Sequence, residues 1–470
     1  MLKEFKKYIK GKKVTIMGLG LLGRGIGVTK FLAECGADLI VTDLKTAEQL
    51  SSSTKQLTKY KNIKFVFGEH RLGDFTDRDL IIKAAGVPLD SPFIAEAKKN
   101  KIPVEMDASL FAKFVMPAGV KIVGVTGTRG KTTVTMLLSE ILKSAFGDEK
   151  VYLGGNIRGL ATLPLLKKVK TGDIVLMELD SWQLQGFGDS QISPNISVFT
   201  NLLVDHQNYY KNDMEKYFAD KANIYRYQKA CDVIVAGKEI AKRIIRQDFV
   251  DTKPRRTRNL LKNGNKMIAV DYKDFPSSWK TKLIGEHNLF NAALAIEAAR
   301  ALGVKETVIK KAVAGFAGVP GRLEFIREVG GVKYYNDTTA TTPDGVLAAL
   351  EALKKYQGKI ILLGGGADKE LIYVDYAKAV KKSVKVLALF KGAATDKIIS
   401  ALGTSTSLRA GKNKIPLEVF DNMKEAFTWA KAQAKRGDVV LLSPGAASFG
   451  IFLNEYDRGD QFNKCVKGLK

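Results

Sequence analysis

The stretch Lys121-Ile-Val-Gly-Val-Thr-Gly127-Thr-Arg-Gly130-Lys131-Thr132-Thr133-Val-Thr constrains the fold more than any other part of the chain. A short apolar run that ends in a glycine turn and resumes as a helix is the βα half of a parallel-sheet unit. Glycine lets backbone N–H groups point inward with no Cβ in the way, and the following helix adds the positive end of its dipole. Such a turn cradles phosphate. Lys131 can reach the terminal phosphates as a point charge, and the hydroxyl of Thr132 or Thr133 offers a ligand to Mg²⁺, as in P-loops. Val125 stands where the usual pattern has its first glycine.

At 470 residues the chain is too long for one core, and about 100–200 residues per domain points to three domains. Its 45% hydrophobic and 26% charged residues are ordinary for a globular protein. No apolar run approaches the roughly 20 residues that span a bilayer, and the Met-Leu-Lys-Glu-Phe-Lys-Lys start has no apolar signal segment. The expected location is the cytoplasm, with no membrane partner. Cys35, Cys231 and Cys465 stand singly, which excludes a Cys-x-x-Cys knuckle and argues against a disulfide framework. The net charge of +26 fits either a polyanionic partner or a basic surface serving an anionic substrate. Its densest local group, Lys253, Arg255, Arg256 and Arg258, lacks interleaved aromatic residues for base stacking, so no dedicated nucleic-acid partner is expected.

Upstream of the phosphate turn, Lys13-Val-Thr-Ile-Met runs into Gly18-Leu-Gly20-Leu21-Leu22-Gly23, followed by a helical pattern and the strand Ala37 to Asp43. An acid some twenty residues after such glycines fits a ribose reader, so NAD is one candidate ligand; the same turn holds the diphosphate of any nucleotide. Strand-helix alternation continues through Leu80 to Gly86 and Ile102 to Glu105, which closes a first domain at 1–106.

In the second stretch, 107–318, candidate partners of the turn lie at strand ends. Gly154-Gly155-Asn156 reads as a turn. Asp173 to Glu178 is an apolar strand ending in carboxylates, where a Walker-B-like Mg²⁺ ligand belongs. Asp205-His206 ends another strand. A helix is expected from Met214 to about Tyr227, with Lys221 inside its apolar stripe, where a lysine must snorkel, pair or be modified. Asn288 and Asn291 open a long Ala-rich helix, either as a cap or as joint donors to a planar ligand. A Gly-Val-Pro-Gly hinge at Gly318 to Gly321 leads into 319–470, where the strands before Asn336-Asp337, Gly364-Gly-Gly and Ser443-Pro deliver polar residues at their C-terminal ends.

Taken in order, Thr126-Gly-Thr-Arg-Gly-Lys-Thr-Thr, Gly-Gly-Asn156, Glu178 with Gln183, Asp205-His206, Lys221, His287-Asn288 with Asn291, Arg322, Asn336-Asp337, Gly-Gly-Gly with Lys369, Ser443-Pro with Ser448, and Arg458-Gly-Asp-x-Phe resemble the motif series of the Mur ligases across essentially the whole chain. The resemblance implies three α/β domains: a Rossmann-like domain, a central P-loop ATPase-type parallel sheet and a C-terminal Rossmann-like domain. It implies an ATP-dependent amide ligase of peptidoglycan precursor synthesis, most similar to the members that add D-glutamate to UDP-N-acetylmuramoyl-L-alanine; another amino-acid specificity is the alternative. Folylpolyglutamate synthases normally lack the N-terminal βαβ domain found here.

By the same resemblance, Gly127, Thr128, Arg129, Gly130, Lys131, Thr132 and Thr133 hold the ATP phosphates. Asn288, Asn291, Arg322 and Asp337 contact the nucleoside. Thr132 and Glu178 hold one Mg²⁺, while His206 and a carbamylated Lys221 hold a second. Leu21, Leu22, Asp43, Lys45, Gly86, Asn156, Gln183 and His206 face the UDP-linked substrate, so the first domain binds UDP and not NAD. Thr341, Lys369 and Ser448 form the amino-acid pocket, and the implied enzyme acts as a monomer. Thr339 departs from a slot often held by lysine, and Glu455-Tyr456 from one where an aromatic residue lines that pocket.

Overall fold

The computed structural model describes residues 1–470 apart from 22, 89, 158, 251–265, 404–414 and 470. Leu22 and the cluster Lys253, Arg255, Arg256 and Arg258 therefore lie outside the described residues. The chain divides into two compact units: Met1–Trp279 with Phe290–Ala314, and Lys280–Leu289 with Gly315–Lys470.

The first unit holds two parallel sheets. Strands β1 (Lys13–Met17), β2 (Asp38–Asp43), β3 (Ile63–Phe67), β4 (Leu80–Lys83) and β5 (Val104–Glu105) lie in the order β3-β2-β1-β4-β5. Strands β6 (Lys121–Thr126), β7 (Val151–Gly155), β8 (Ile174–Glu178), β9 (Ile196–Phe199), β10 (Val233–Gly237) and β11 (Lys266–Val270) lie in the order β11-β10-β9-β6-β8-β7. In each sheet the strand feeding a glycine turn, β1 or β6, has neighbours reached by chain crossing in opposite directions. That is the switch point where parallel sheets leave a ligand crevice at their C-terminal edge. Both strands are apolar along most of their length because helices cover both faces.

One hydrophobic core runs through both sheets of this unit. The helix Asp107–Val115 contributes Ala108, Leu110, Phe111, Ala112 and Val115 to it, and each large side chain so buried is worth about 1.5–3 kcal/mol. Asp107 opens that helix with a buried carboxylate that accepts the N–H groups of Thr162 and Leu163 at 2.8 Å each. The two expected N-terminal domains therefore share packing instead of meeting through a loose linker. The helix carrying Lys221 spans Met214–Ala222, shorter than its apolar periodicity suggests: Asp213 caps its start and the chain breaks into turns from Asn223. Gly154 and Gly155 end β7 and are not a separate turn.

The second unit is built on one mixed sheet of β12 (Glu324–Val329), β13 (Val332–Asn336), β14 (Ile360–Gly365), β15 (Val384–Phe390), β16 (Leu417–Phe420) and β17 (Val439–Leu442), in the order β12-β13-β17-β14-β15-β16. Only the β12–β13 pair among these is antiparallel. The last strand, β17, inserts between β13 and β14, so three sequence-distant strand ends open side by side. Separate hydrophobic clusters cover the two faces.

Candidate active site

The glycine turn after β6 is moulded onto the end of β9. Thr128 N–H donates to Asn201 O and Arg129 N–H to Asn201 Oδ1, both at 2.9 Å, and Thr200 Oγ1 donates to Arg129 O at 2.6 Å. Gly127 and Gly130 have φ of +140° and +86°, and a Cβ would collide with Thr200 Oγ1 at the first and Asn291 Oδ1 at the second. These two positions require glycine both for conformation and for space. Lys131 begins the helix Lys131–Phe146, and its Nζ donates to Gly127 O at 3.0 Å and Thr128 O at 3.1 Å. Lys131 thus folds back over its own glycine turn. Thr133 is buried, whereas Thr132 is half-buried on the first helical turn.

Lys221 does not snorkel. Only 1% of it is exposed, its Nζ donates to Gly127 O at 2.9 Å, and it lies 4.8 Å from the Tyr217 ring centroid. Burial, reinforced by the Lys131 charge, pushes the Lys221 pKa well below its usual value, against the pull of Asp180, Asp205 and Asp220. His206 sits in the left-handed region at φ +53°, with its ring 4.7 Å from Trp182. Burial also lowers the His206 pKa, against the pull of Asp205. Burial raises Asp205, but the Arg129 guanidinium at 2.8 Å and His206 outweigh it and hold that carboxyl below its usual range. Glu178 is 5% exposed and paired in register with Val125, two residues before Gly127. Lys131, Glu178 and Lys221 thus lie at the end of β6, and Asp205 is tied to its turn through Arg129; β9 stops at Phe199, so Asp205-His206 sits in the segment beyond that strand and not at its end.

Several of the residues assigned to the UDP-linked substrate have partners within the protein. Asp43 braces its own turn: Oδ2 accepts Leu19 N–H and Gly20 N–H, and Oδ1 accepts Lys45 N–H, all at 2.9 Å. Its spacing resembles a ribose reader, but the carboxylate is engaged by backbone. Leu21 is 53% exposed beside that turn, and Lys45 is exposed. Gln183 closes a capping box with Asp180 at the start of the helix Ser181–Asp189. Asn156 Oδ1 accepts from Arg24 Nη2 at 2.7 Å, and Gly86 faces the Trp182 ring.

The sequence reading passed over Arg24 and a buried polar chain starting at Lys83. Lys83 Nζ donates to Gln185 Oε1 at 2.8 Å, and Gln185 Nε2 donates to Asp220 Oδ2 at 2.8 Å, beside Lys221. Tyr210 OH donates to the same Asp220 oxygen at 2.9 Å, and Tyr209 OH to Val87 O at 3.1 Å. The signal existed: Lys83, like Lys221, is a lysine inside an apolar run.

In the second unit, Ser443 Oγ donates to Asp337 Oδ2 at 2.8 Å and Leu323 N–H to Oδ1 at 3.0 Å. Burial nevertheless pushes the Asp337 carboxyl up to about 7, with Arg322 pulling the other way. Lys369 Nζ reaches Thr341 Oγ1 at 3.4 Å. Ala367 and Ala447 pair across the ends of β14 and β17, which sets Ser448 one residue, and Lys369 two residues, beyond the pairing. Thr341, Lys369 and Ser448 therefore gather at one end of the sheet. Asn288 donates to Ile284 O at 3.0 Å in the first turn of the helix Glu286–Ala301, while Asn291 faces Gly130.

Residues 12–105 match the Mur ligase MurD-like N-terminal domain, 125–299 the Mur ligase middle domain and 321–445 the Mur ligase glutamate ligase domain. The chain is 36% identical to a UDP-N-acetylmuramoylalanine--D-glutamate ligase from Roseiflexus sp. (strain RS-1), over 98% of this chain and 99% of that protein. Enzymes of the same name from Clostridium acetobutylicum and Borreliella burgdorferi are 35% and 33% identical, over 99% and 98% of this chain and 99% of each relative. Among solved structures, a UDP-N-acetylmuramate-alanine ligase MurC from Thermotoga maritima aligns with a TM-score of 0.59 at 20% identity, covering 98% of this chain and 100% of that one. A MurF ligase from Thermotoga maritima in complex with ADP aligns with a TM-score of 0.57 at 18% identity, covering 98% and 96%. Those structural likenesses establish the shared three-domain α/β fold. With three domain matches in order and full-length identities of 33–36%, this chain belongs to the Mur ligase family.

Proposed function

We propose that this chain is an ATP-dependent ligase that joins D-glutamate to UDP-N-acetylmuramoyl-L-alanine in peptidoglycan precursor synthesis, as a monomer in the cytoplasm. The observation that carries the reading is the full-length similarity to ligases of that specificity. No helix among the described residues is long and apolar enough to cross a membrane, which agrees with substrates met in water. In this reading 1–106 binds the UDP-linked substrate, 107–318 binds ATP and 319–470 binds the amino acid.

The reaction moves the γ-phosphoryl of ATP to the carboxylate of UDP-N-acetylmuramoyl-L-alanine, giving ADP and an acyl phosphate. The amine of D-glutamate attacks the acyl carbon, the tetrahedral adduct loses phosphate as the C–O bond breaks, and the amine proton leaves to solvent. Every step crowds anions together, so positioning and charge neutralisation dominate. Backbone N–H groups of the 127–133 turn and the charge of Lys131 serve the phosphates. Asn288, Asn291, Arg322 and Asp337 serve the nucleoside, and Leu21, Leu22, Asp43, Lys45, Gly86, Asn156 and Gln183 the UDP-linked substrate. For Asp43 and Gln183 the service is indirect, through the turn and the helix start that they brace.

The donor set suits Mg²⁺, which when bound neutralises phosphate charge. Thr132 and Glu178 offer hard oxygens for one ion, and neutral His206 offers an imidazole nitrogen for a second. Among the described residues no three of His, Cys, Asp and Glu gather to hold a metal, so a complete shell needs phosphate oxygens and one more anionic ligand. A carbamate on Lys221 is that ligand in our reading. An ammonium there repels a cation; burial lowers the Lys221 pKa and so favours the neutral amine, which forms an N–C bond to CO₂ and releases a proton to solvent to give the anionic carbamate.

Phosphate release from ATP tests the reading. It should require UDP-N-acetylmuramoyl-L-alanine and D-glutamate together, and equal turnover with L-alanine or a diamino acid would remove the assigned specificity.

A further inference from the structure

The Arg458-Gly-Asp-x-Phe motif has no part in the chemistry above, yet Arg458 is among the largest fully buried side chains, with 0% exposed. It stands in the first turn of the helix Glu455–Lys467, whose cap Asn454 accepts the N–H groups of Tyr456 and Asp457 at 3.0 Å. Its guanidinium bonds two strand ends at once. Nη2 donates to Thr338 O at 2.8 Å and Nε to Thr338 Oγ1 at 3.2 Å, just past β13; Nη1 donates to Ala446 O at 3.2 Å, just past β17. Thr338 Oγ1 donates onward to Glu455 O at 2.6 Å, so its orientation is fixed from both sides. A Cβ at Gly459 would lie 2.6 Å from Thr338 Cγ2, which keeps the helix and the β13 end in close contact.

All three acceptors are neutral oxygens, and burial lowers the Arg458 pKa to about 10. The Glu455 charge pulls the other way but not enough to offset burial, and a buried cation whose hydrogen bonds all go to neutral oxygens is no more stabilising than a well-packed apolar side chain, so packing alone does not account for an arginine here. What arginine adds is a planar fork with N–H bonds in fixed directions, which holds two backbone segments at a set distance. Those segments lead to Thr341, three residues beyond Thr338, and to Ser448, two beyond Ala446. The Ala367–Ala447 pairing extends the same constraint to the β14 end that carries Lys369.

We propose that Arg458 is a positioning residue for the acceptor amino acid: its guanidinium sets the spacing of Thr341, Ser448 and Lys369, and hence the affinity for D-glutamate. The inference rests on the reading of that cluster as the amino-acid pocket.

The test compares Arg458→Met, which keeps length and loses the fork, and Arg458→Lys, which keeps charge and loses the fork, with the unaltered chain in the phosphate-release assay. KM for D-glutamate should rise roughly 10- to 100-fold in both, the scale expected of a misplacement of about 1 Å. KM for UDP-N-acetylmuramoyl-L-alanine, read on the other unit, should hold. An unchanged D-glutamate KM, or an equal rise in both KM values, overturns the proposal. Thermal unfolding shows whether Arg458→Met folds, and if it does not, Arg458→Lys decides alone by the same criterion. Should the unaltered chain use a different amino acid, the specificity reading falls, and Arg458 is judged on the KM of that amino acid.

Discussion

Lys221→Ala and Lys221→Met separate the chemical role of this lysine from its place in the core. The alanine variant deletes three buried methylenes, about 2.4 kcal/mol at about 0.8 kcal/mol each, and the cavity it leaves brings the expected destabilisation to about 2–5 kcal/mol. Methionine fills the same space and removes an amine that pays a desolvation cost, so it should leave stability near or above that of the parent. Both variants lose the anionic ligand proposed at this position, and activity should fall by about 1,000-fold or more, some 4 kcal/mol of transition-state stabilisation. A small carboxylate such as propionate has room to enter only where the lysine stem has been deleted, as in the Lys221→Ala variant. Phosphate release should therefore be partly restored by propionate in Lys221→Ala and not in Lys221→Met. Full activity of Lys221→Ala without carboxylate refutes the reasoning, as does equal rescue of the methionine variant.

Asp337 carries a pH signature. Its folded pKa, about 7, is raised above its unfolded value, so its contribution to stability is fully present below about pH 4 and lost as pH rises through about 7. Asp337→Asn should flatten that slope in denaturant unfolding and, at pH 8, relieve about 2–4 kcal/mol of the cost of the buried charge, while raising KM for ATP. Gln185→Leu should destabilise the first unit by about 2–4 kcal/mol, because it leaves buried Lys83 without its acceptor and half-buried Asp220 with Tyr210 but not the amide as donor. Lowered thermal stability that Lys83→Met partly restores in the double variant is the expected outcome; additive losses would mean the two groups are independent. Gly130→Ala should weaken ATP binding measured by titration, since its φ of +86° strains any residue with a Cβ and the added methyl would push the Asn291 amide aside.

What was legible in the sequence was what local rules dictate. An apolar run into a glycine turn located the ends of β1 and β6, and strand ends located Glu178 and Asp337, whereas His206 and Ser448 lie seven and six residues beyond β9 and β17, in loops whose course no alternation of side chains reveals. The apolar stripe around Lys221 flagged a lysine with no access to water, although the helix itself stops at Ala222, where side-chain periodicity carries on through turns. Less legible were the long-range partners. Asp43 looks like a ribose reader by spacing, and only the folded turn brings the N–H groups of Leu19 and Gly20 to its carboxylate. Nothing local links Lys83 to Gln185 across 102 residues or Arg458 to Thr338 across 120. The shared core of the first two sheets depends on the same kind of contact, with Asp107 bound to Thr162 and Leu163.

The most direct test of the account is phosphate release from ATP by the unaltered chain across a panel of amino acids, each with and without UDP-N-acetylmuramoyl-L-alanine. The account predicts release only when that substrate and D-glutamate are both present, with ADP, phosphate and the amide product formed in equal amounts. Release that proceeds without the UDP-linked substrate, or as fast with L-alanine or a diamino acid as with D-glutamate, would contradict it.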